Sequence, residues 1–318
     1  MRARRKWPLA ALGGVVVAAL AYVFWGSWGE WTGEPISVGA EQGGQGALRV
    51  MSFNVLSNAH VDRHVGPWEQ RRDAVAAAVR AFRPDLLGTQ ELMFDQAEDV
   101  RRLLPAYDSV GAGREDGKRK GEQTAIFFRR ERFEKLAEGH FWLSETPDTP
   151  GSKDWLSHVP RTCSWVRLRD RQAPGRVLVH FNTHLDAVSM VARAKSADLL
   201  RDRIEAVAGQ GPVVLTGDFN APAGRLTYGR LLGEEGERLR LIDSYRSVYP
   251  EREGNEGTYH VPGGLRLWRR IDWILHTVHF RATVAAIQTD QVNGHWPSDH
   301  CPVTAVLEFA DGSGSNAP

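Results

Sequence analysis

Short apolar segments of strand length dominate this sequence, and three longer segments show helical periodicity. Strands are predicted at Leu48–Phe53, Asp85–Thr89, Thr124–Phe128, Cys163–Leu168, Val177–Thr183, Val213–Gly217, Arg270–Leu275, Val278–Gln288 and Val303–Phe309. Amphipathic helices are predicted at Trp68–Phe82, Phe94–Leu104 and Ser189–Ala208. The short spacing between Ile271–Leu275 and Val278–Ala285 predicts that these two strands pair antiparallel. Many strands with few helices predict an α/β domain with mixed sheets.

The N-terminus has the composition of a membrane anchor. Four basic residues between positions 2 and 6 precede an uncharged apolar run, Pro8–Trp25. At ~1.5 Å per residue this run is long enough to cross a ~30 Å hydrocarbon core. Basic residues before such a run stay in the cytoplasm, so we expect residues 1–25 to be a signal anchor and the rest to lie outside the cytoplasm. A signal peptide cleaved after Ala19-Leu20-Ala21, giving a secreted protein, and a buried core helix remain alternatives.

The remainder of the chain divides by composition into a tether, one large domain and a tail. Residues 26–46 are rich in Gly, Glu and Gln and are expected to be a flexible linker. Residues 47–310 show no linker-like change in composition, which favours a single catalytic domain, and residues 311–318 are expected to be a disordered tail. Cys163 and Cys301 are expected to be separate buried thiols, with a disulfide as the alternative.

Polar residues stand directly after several predicted strands, where α/β proteins often place reacting groups. Asn54 and Glu91 follow two strands, so an amide and a carboxylate are expected to reach one ion. Such oxygen ligands suit Mg²⁺ or Mn²⁺. A metal ion neutralises phosphoryl oxygens. The whole set of polar residues that end predicted strands therefore predicts a metal-dependent phosphoester hydrolase: Asn54, Glu91, His184, Asp218, Asn220, Asp272, Asp299 and His300. A turn residue at Asn54 and a helix-start acid at Glu91 are the structural alternatives.

The segment Thr216–Pro222 is more specific. An apolar strand runs into Gly217 and then exposes Asp218 and Asn220, two residues apart. Asp218 is expected to hold the attacking water, and Asn220 to donate to a phosphate oxygen. Asp272 interrupts another apolar strand, where an unpaired carboxylate is costly, so a histidine partner is expected.

Two motifs, Gly217-Asp218-Phe219-Asn220 and Ser298-Asp299-His300, make the sequence resemble the endonuclease/exonuclease/phosphatase superfamily of DNase I-like proteins. The resemblance extends over Leu48–Glu308. It implies a four-layer α/β sandwich, in which two mixed β-sheets pack face to face with helices outside. It also implies hydrolysis of phosphoric esters with Mg²⁺, or Mn²⁺, as the cofactor.

The same resemblance implies the metal site. Glu91 looks like the principal metal ligand, with Asn54 and Asp299 close to it. Asp218 and Asn220 look like the residues that position water and phosphate.

Two histidine–carboxylate pairs are also implied. His300 resembles the base, or the imidazole that contacts phosphate, and Asp272 would orient it. His184 resembles the second family histidine and Glu122 its carboxylate partner, a pair that would protonate the leaving oxygen or bind phosphate. Arg114, in a Gly-rich loop, is a further candidate for contact with phosphate, with a solvated loop as the alternative.

The function expected from these residues is that of a Mg²⁺-dependent phosphodiesterase or nuclease. A phospholipid or phosphoinositide head-group hydrolase is the enzymatic alternative, and an inactive binding domain on the same fold is the alternative of another class. The formal net charge of +1 indicates no strong general attraction to nucleic acid. The expected partners are a phosphoester substrate (nucleic acid, nucleotide or phospholipid head group) and the membrane through residues 1–25, with no obligate protein partner.

Overall fold

Twelve strands and five helices make up the part of the chain that the structure describes. The structure is a computed structural model and describes residues 46–60, 65–252, 254–261, 265–292 and 295–310. The strands are β1 (Leu48–Asn54), β2 (Leu86–Gln90), β3 (Tyr107–Val110), β4 (Ile126–Arg129), β5 (Phe133–Trp142), β6 (Thr162–Asp170), β7 (Val177–His184), β8 (Val213–Asp218), β9 (Ile242–Asp243), β10 (Asp272–His276), β11 (Phe280–Ile287) and β12 (Val303–Phe309). The helices are α1 (Trp68–Phe82), α2 (Phe94–Leu103), α3 (Met190–Ala208), α4 (Leu226–Leu232) and α5 (Ser244–Val248).

The strands form two six-stranded sheets. The first sheet has the order β11-β12-β1-β2-β4-β3, and the second has the order β5-β6-β7-β8-β10-β9. One pair in each sheet is parallel, β1 with β2 and β7 with β8, and the other neighbours are antiparallel. Both sheets are therefore mixed, as predicted.

Three apolar clusters separate four layers. One cluster lies between the sheets and includes Val50 and Val214. A second packs α1, through Val79, against the outer face of the first sheet. The third includes Leu200 of α3 and Leu215 of the second sheet. The predicted fold class, two mixed sheets packed face to face with helices outside, is confirmed.

Hydrogen bonds also join the two sheets at their centre. The Asn182 side chain on β7 accepts from Gln90 Nε2 at 2.7 Å and donates to the Thr89 carbonyl at 2.8 Å, so it contacts the first sheet twice. Thr216 Oγ1 donates to the same Asn182 oxygen at 3.0 Å. Gly88 permits this close approach, because a Cβ there would lie 2.0 Å from Thr216 Oγ1. The polar bridge fixes the position of one sheet against the other.

The predicted pairing of the strands on either side of Thr277 is wrong. β10 pairs with β8 and β9 in the second sheet, whereas β11 pairs with β12 in the first. The short connection between them therefore carries the chain from one sheet to the other. Strands that are consecutive in sequence pair in most proteins but not in all.

β5 is an edge strand that was not predicted from the sequence. Its first half contains Glu134, Lys135 and Glu138 and is largely exposed, with a bulge between Lys135 and Ala137. Charged residues and bulges are common on edge strands, because they discourage pairing with other chains. Because these charged residues interrupt the apolar alternation, the segment lacks the sequence pattern from which a strand is predicted.

Membrane attachment is not supported. Among the residues that the structure describes, no helix is both long and apolar enough to cross a membrane. This finding contradicts the predicted location, a membrane-anchored protein with its catalytic domain outside the cytoplasm. The predicted anchor at 1–25, the linker as far as residue 45 and the tail at 311–318 lie outside the described residues.

Candidate active site

The polar residues singled out in the sequence meet at one edge of the two sheets. Asn54 ends β1, Glu91 follows β2, and His184 and Asp218 end β7 and β8. Asp218 is the register partner of both His184 and Asp272, the first residue of β10. Parallel neighbours bring their carboxyl ends to the same edge, so the first sheet contributes Asn54 and Glu91, and the second contributes the other three.

Asn54 connects the two carboxylates. Its Nδ2 lies 3.0 Å from Glu91 Oε1 and 3.0 Å from Asp218 Oδ2, and its Oδ1 accepts from the Leu56 amide at 3.1 Å. Burial alone would raise the pKa of Glu91, but the Asn54 hydrogen bond and the charge of His300 outweigh it and lower that pKa. Asn54 was predicted to offer an oxygen to a metal ion. In this geometry it acts as a donor that holds Glu91 and Asp218 together.

Three residues of the site have left-handed backbone conformations although none is glycine. Glu91 has φ 61°, Asn220 has φ 48° and Leu56 has φ 58°. A side chain makes this conformation unfavourable by roughly 1–2 kcal/mol, least for asparagine. Residues held in this way cluster at functional sites, where the surrounding packing maintains them. In this conformation the Glu91 carboxylate accepts from Asn54 Nδ2 and from the Ser57 amide.

His300 is paired with carboxylates. Its Nδ1 lies 2.9 Å from Asp272 Oδ2, and its Nε2 lies 3.8 Å from Asp218 Oδ2. Burial alone would lower the pKa of His300, but Asp272 and Asp218 outweigh it and raise the pKa well above 6.5. Burial and the Asp272 charge raise the pKa of Asp218 above that of an ordinary carboxyl group, against the effect of His300. A charged imidazole therefore faces a carboxyl group that binds protons readily.

His184 has the opposite tendency. Burial, followed by the charges of Arg161 and Arg114, lowers the pKa of His184 well below 6.5. Its Nε2 lies 2.9 Å from Asn220 Nδ2 and 3.3 Å from Asp218 Oδ2. A neutral ring accepts the Asn220 hydrogen bond at Nε2 and carries its proton on Nδ1. The site thus contains one neutral and one charged histidine.

Glu122 has a different partner from the one expected. It forms an ion pair with Arg114, whereas the described hydrogen-bond partner of the His184 ring is Asn220. Glu122 and His184 line the same small pocket, together with Arg161. Within the described residues, the buried Arg161 guanidinium has no hydrogen-bond partner at Nε or Nη1.

Arg161 is a site residue that the sequence reading missed. It follows a loop and precedes β6 without any recognisable motif. Burial, rather than a neighbouring cation, is the main reason that its pKa is lowered, and Arg114 adds to the effect. Two guanidinium groups thus line one wall of this pocket, and guanidinium groups match the oxygens of a phosphoryl group in shape and charge.

A second buried arginine supports the site from α1. Arg71 donates to the carbonyls of Val55 and Leu56, after β1, and to the Pro297 carbonyl at 3.1 Å. Pro297 precedes the Ser298-Asp299-His300 motif. Arg71 therefore joins the loop that follows Asn54 to the loop that carries Asp299 and His300.

The chemistry of the donor set fits a divalent cation. Ligand atoms of Glu91, His184 and Asp218 lie within 4.8 Å of one another, and so do those of Asp218, Asp272 and His300. Among the described residues, the buried Asp272 Oδ1 has no hydrogen-bond partner. Three carboxylates packed so closely repel one another, and a cation bound between them would offset that repulsion. Asp299 adds a further carboxylate, whose charge helps to raise the pKa of His300.

Comparison with known proteins gives the family. The profile described as the Endonuclease/Exonuclease/phosphatase family matches residues 51–300. The chain belongs to this family. The match contains Asn182 and Arg161 as well as every candidate site residue named above.

Solved structures of family members resemble this one closely. An endonuclease/exonuclease/phosphatase family protein from Bacteroides thetaiotaomicron is 35% identical, with a TM-score of 0.76 over 83% of this chain and 98% of that chain. The mannosyl-6-phosphatase of the same organism is 35% identical, with a TM-score of 0.74 over 82% of this chain and 100% of that chain. A protein of Acanthamoeba polyphaga mimivirus is 26% identical over 60% of this chain and 74% of its own. Family members named for an activity, such as that phosphatase, are phosphoesterases.

Proposed function

We propose that this protein hydrolyses phosphoric esters with the help of a divalent cation, Mg²⁺ or Mn²⁺. The observation that carries the proposal is the Glu91, His184 and Asp218 cluster, whose ligand atoms lie within 4.8 Å of one another beside the charged His300. Glu91 would hold the cation, with Asp299 nearby and Asp218 beside it. When bound, the cation neutralises charge on the phosphoryl oxygens.

The residues of the chain have distinct tasks in this proposal. Asp218, buried at the end of β8 and held by hydrogen bonds from Asn54 and Asn220, orients the attacking water and accepts its proton. The backbone N–H of Asn220 donates to Asp218 Oδ1 at 2.9 Å. The other carboxylate oxygen, Oδ2, faces His184 and His300. His300, kept charged by Asp272, donates from Nε2 to a phosphoryl oxygen.

Two further side chains act on the phosphate group. Arg161 supplies the unsatisfied donors of its buried guanidinium to phosphoryl oxygens. Arg114, held by Glu122, adds positive charge at the same wall of the pocket. These groups stabilise negative charge as it develops in the transition state.

Phosphodiesters and phosphomonoesters are both candidate substrates. The predicted phosphodiesterase or nuclease activity depends on the site residues, and these residues could act on a diester or on a monoester. A sugar-phosphate monoesterase is the second candidate, because a mannosyl-6-phosphatase is 35% identical and is covered along its whole length. The two guanidinium groups of Arg114 and Arg161 suit the additional charge of a monoester.

Turnover of simple esters tests the proposal. The full chain is assayed with bis-p-nitrophenyl phosphate, p-nitrophenyl phosphate and mannose 6-phosphate, in Mg²⁺, Mn²⁺ or EDTA. We expect turnover that EDTA abolishes, and the preferred ester distinguishes the two candidates. Asp218→Asn and His300→Gln are each expected to lose at least about a hundredfold in kcat/KM.

A matched control removes a carboxylate at the opposite end of the first sheet. Glu308 lies near the end of β12 and pairs with the exposed Arg281. Glu308→Gln is expected to retain the activity of the natural chain. Absence of EDTA-sensitive turnover with any ester would overturn the proposal, and full activity in Asp218→Asn would overturn the role of Asp218.

A further inference from the structure

The Asp186 carboxylate joins two loops beside the site. It is buried and lies two residues after His184, which ends β7. Its Oδ1 accepts from the backbone N–H groups of Val188 and Ser189, at 2.9 Å and 2.7 Å. Its Oδ2 accepts from the backbone N–H of His158 at 2.8 Å. One carboxylate therefore holds its own loop and a second loop that is distant in sequence.

Two serine hydroxyl groups join the same loops. Ser157 Oγ lies 3.0 Å from the carboxylate oxygen that His158 contacts, and it also lies within reach of a carbonyl of its own loop. Ser189 Oγ donates to the Trp155 carbonyl at 3.0 Å. We call residues 155–158 and 186–189, with these hydrogen bonds, the Asp186 clasp.

The clasp holds a stretch of backbone in an unfavourable conformation. Trp155 has φ 56° and Leu156 has φ 64°, and neither is glycine. Each such residue costs roughly 1–2 kcal/mol, so the conformation persists only where surrounding contacts maintain it. The bonds from Ser189 to the Trp155 carbonyl and from His158 to the carboxylate lie on either side of Leu156. Without the clasp, we expect this stretch to relax.

The strained stretch leads directly to Arg161. Only Val159 and Pro160 separate it from His158. In the part of the chain that the structure describes, Arg161 Nε and Nη1 have no hydrogen-bond partner, so no such bond fixes the direction of the guanidinium through these atoms. Its place depends on the main chain. The Arg161 carbonyl accepts from the Leu143 N–H at 2.8 Å, and the clasp holds the chain before it.

We propose that Asp186 is a positioning residue for phosphate recognition, which places the Arg161 guanidinium at the pocket that His184 also lines. Asp186 acts through Arg161, and its own oxygens are occupied by the N–H groups of the two loops. The proposal rests on the proposed function for the role of Arg161. It concerns the binding of phosphate, which can be measured without hydrolysis.

Binding of inorganic phosphate tests the positioning separately from turnover. Phosphate is titrated calorimetrically into the full chain in Mg²⁺, and thermal unfolding shows which variants are folded at that temperature. Arg161→Ala is expected to weaken binding at least about tenfold. Asp186→Asn is expected to weaken it by a similar factor, because an amide accepts hydrogen bonds at one of its two ends only. Since both changes act through one guanidinium, the double variant should bind no more weakly than Arg161→Ala alone.

The matched control makes the same chemical change at the other end of β6. Asp170 is as buried as Asp186, accepts from the Gln172 N–H at 2.9 Å and pairs with Arg132 at 3.0 Å. Asp170→Asn is expected to lose stability, because it weakens a buried ion pair, and to keep the phosphate affinity of the natural chain. General loosening of the fold would instead lower the affinity in both variants.

A milder variant applies where Asp186→Asn does not fold. Ser157→Ala keeps the carboxylate and is expected to weaken phosphate binding about threefold in the natural chain but not in Arg161→Ala. Additive losses in the double variants, an equal loss in Asp170→Asn, or no phosphate binding by the natural chain would overturn the positioning role. Phosphate binding that follows the expected pattern in a chain that hydrolyses no ester would overturn the proposed function and leave the positioning role standing.

Discussion

Replacing Arg71 by methionine tests whether this buried arginine holds the site together. Methionine keeps the long apolar stem but removes the guanidinium. The three carbonyls that lose a donor are those of Val55 and Leu56, next to Asn54, and of Pro297, ahead of the His300 motif. We expect loss of stability together with loss of order in both loops.

The size of the effect follows from two opposing quantities. Hydrogen bonds from a charged donor contribute about 1.5–3 kcal/mol each, so three contribute roughly 4.5–9 kcal/mol. Holding the charge in the interior has a cost, since burial lowers the pKa of Arg71 from its ordinary value to about 10, equivalent to about 3 kcal/mol. Methionine removes both, and the expected net loss in the free energy of unfolding is about 4 kcal/mol.

Urea unfolding followed by tryptophan fluorescence measures this loss. Arg72→Met is the matched control, because Arg72 is the next residue on α1 and, within the described residues, its guanidinium pairs with the Asp99 carboxylate at 3.4 Å. It is expected to lose no more than about 1 kcal/mol. A loss in Arg71→Met as small as in the control would refute the reasoning, and so would a destabilised chain that keeps full turnover at a temperature where it is folded.

Three further outcomes follow from the structure. Gly88→Ala forces a Cβ against Thr216 Oγ1 and is expected to destabilise the fold by about 3 kcal/mol in thermal unfolding; Thr216→Ala in the same chain should recover part of this, and no recovery would contradict the clash. Burial lowers the pKa of His180 to about 3, so the folded ring stays neutral while the unfolded ring takes up a proton below 6.5. Stability should therefore fall as the pH drops, by about 2 kcal/mol from His180 between pH 7 and 5 in urea titrations, and His180→Gln should show a smaller fall. Asp272→Asn removes the largest of the charges that raise the pKa of His300, so the pKa of that ring, followed by NMR, should drop and kcat/KM should fall about a hundredfold; an unchanged titration would contradict the pairing.

The parts of the site that were predicted from sequence are those that local patterns encode. The pattern predicted Asp218 and Asn220 at the end of an apolar strand, and the structure has Asp218 as the last residue of β8, with Asn220 two residues further on. Arg161 left no comparable trace. An arginine before a strand is ordinary on a protein surface, and its burial beside the site depends on elements distant in sequence.

The fold shows the same division. The helix at Trp68–Phe82 was predicted at its observed bounds, because its apolar face recurs at helical spacing and Pro84 follows its end. The assignment of β10 and β11 to different sheets was not predictable from spacing, since it depends on the partners that β8 and β12 offer. The left-handed backbone conformation of Glu91 could not be predicted either, because glutamate does not favour this conformation.

The hydrogen bonds from Asn54 to Glu91 and Asp218 have a consequence for the folding of the protein. Glu91 follows a strand of the first sheet and Asp218 ends a strand of the second, so a chain with either sheet alone holds only part of the constellation. During refolding, circular dichroism reports the formation of strands, whereas recovered turnover reports that the two sheets have docked in register. The delay between the circular dichroism signal and the recovery of turnover measures how long the two sheets exist before they dock.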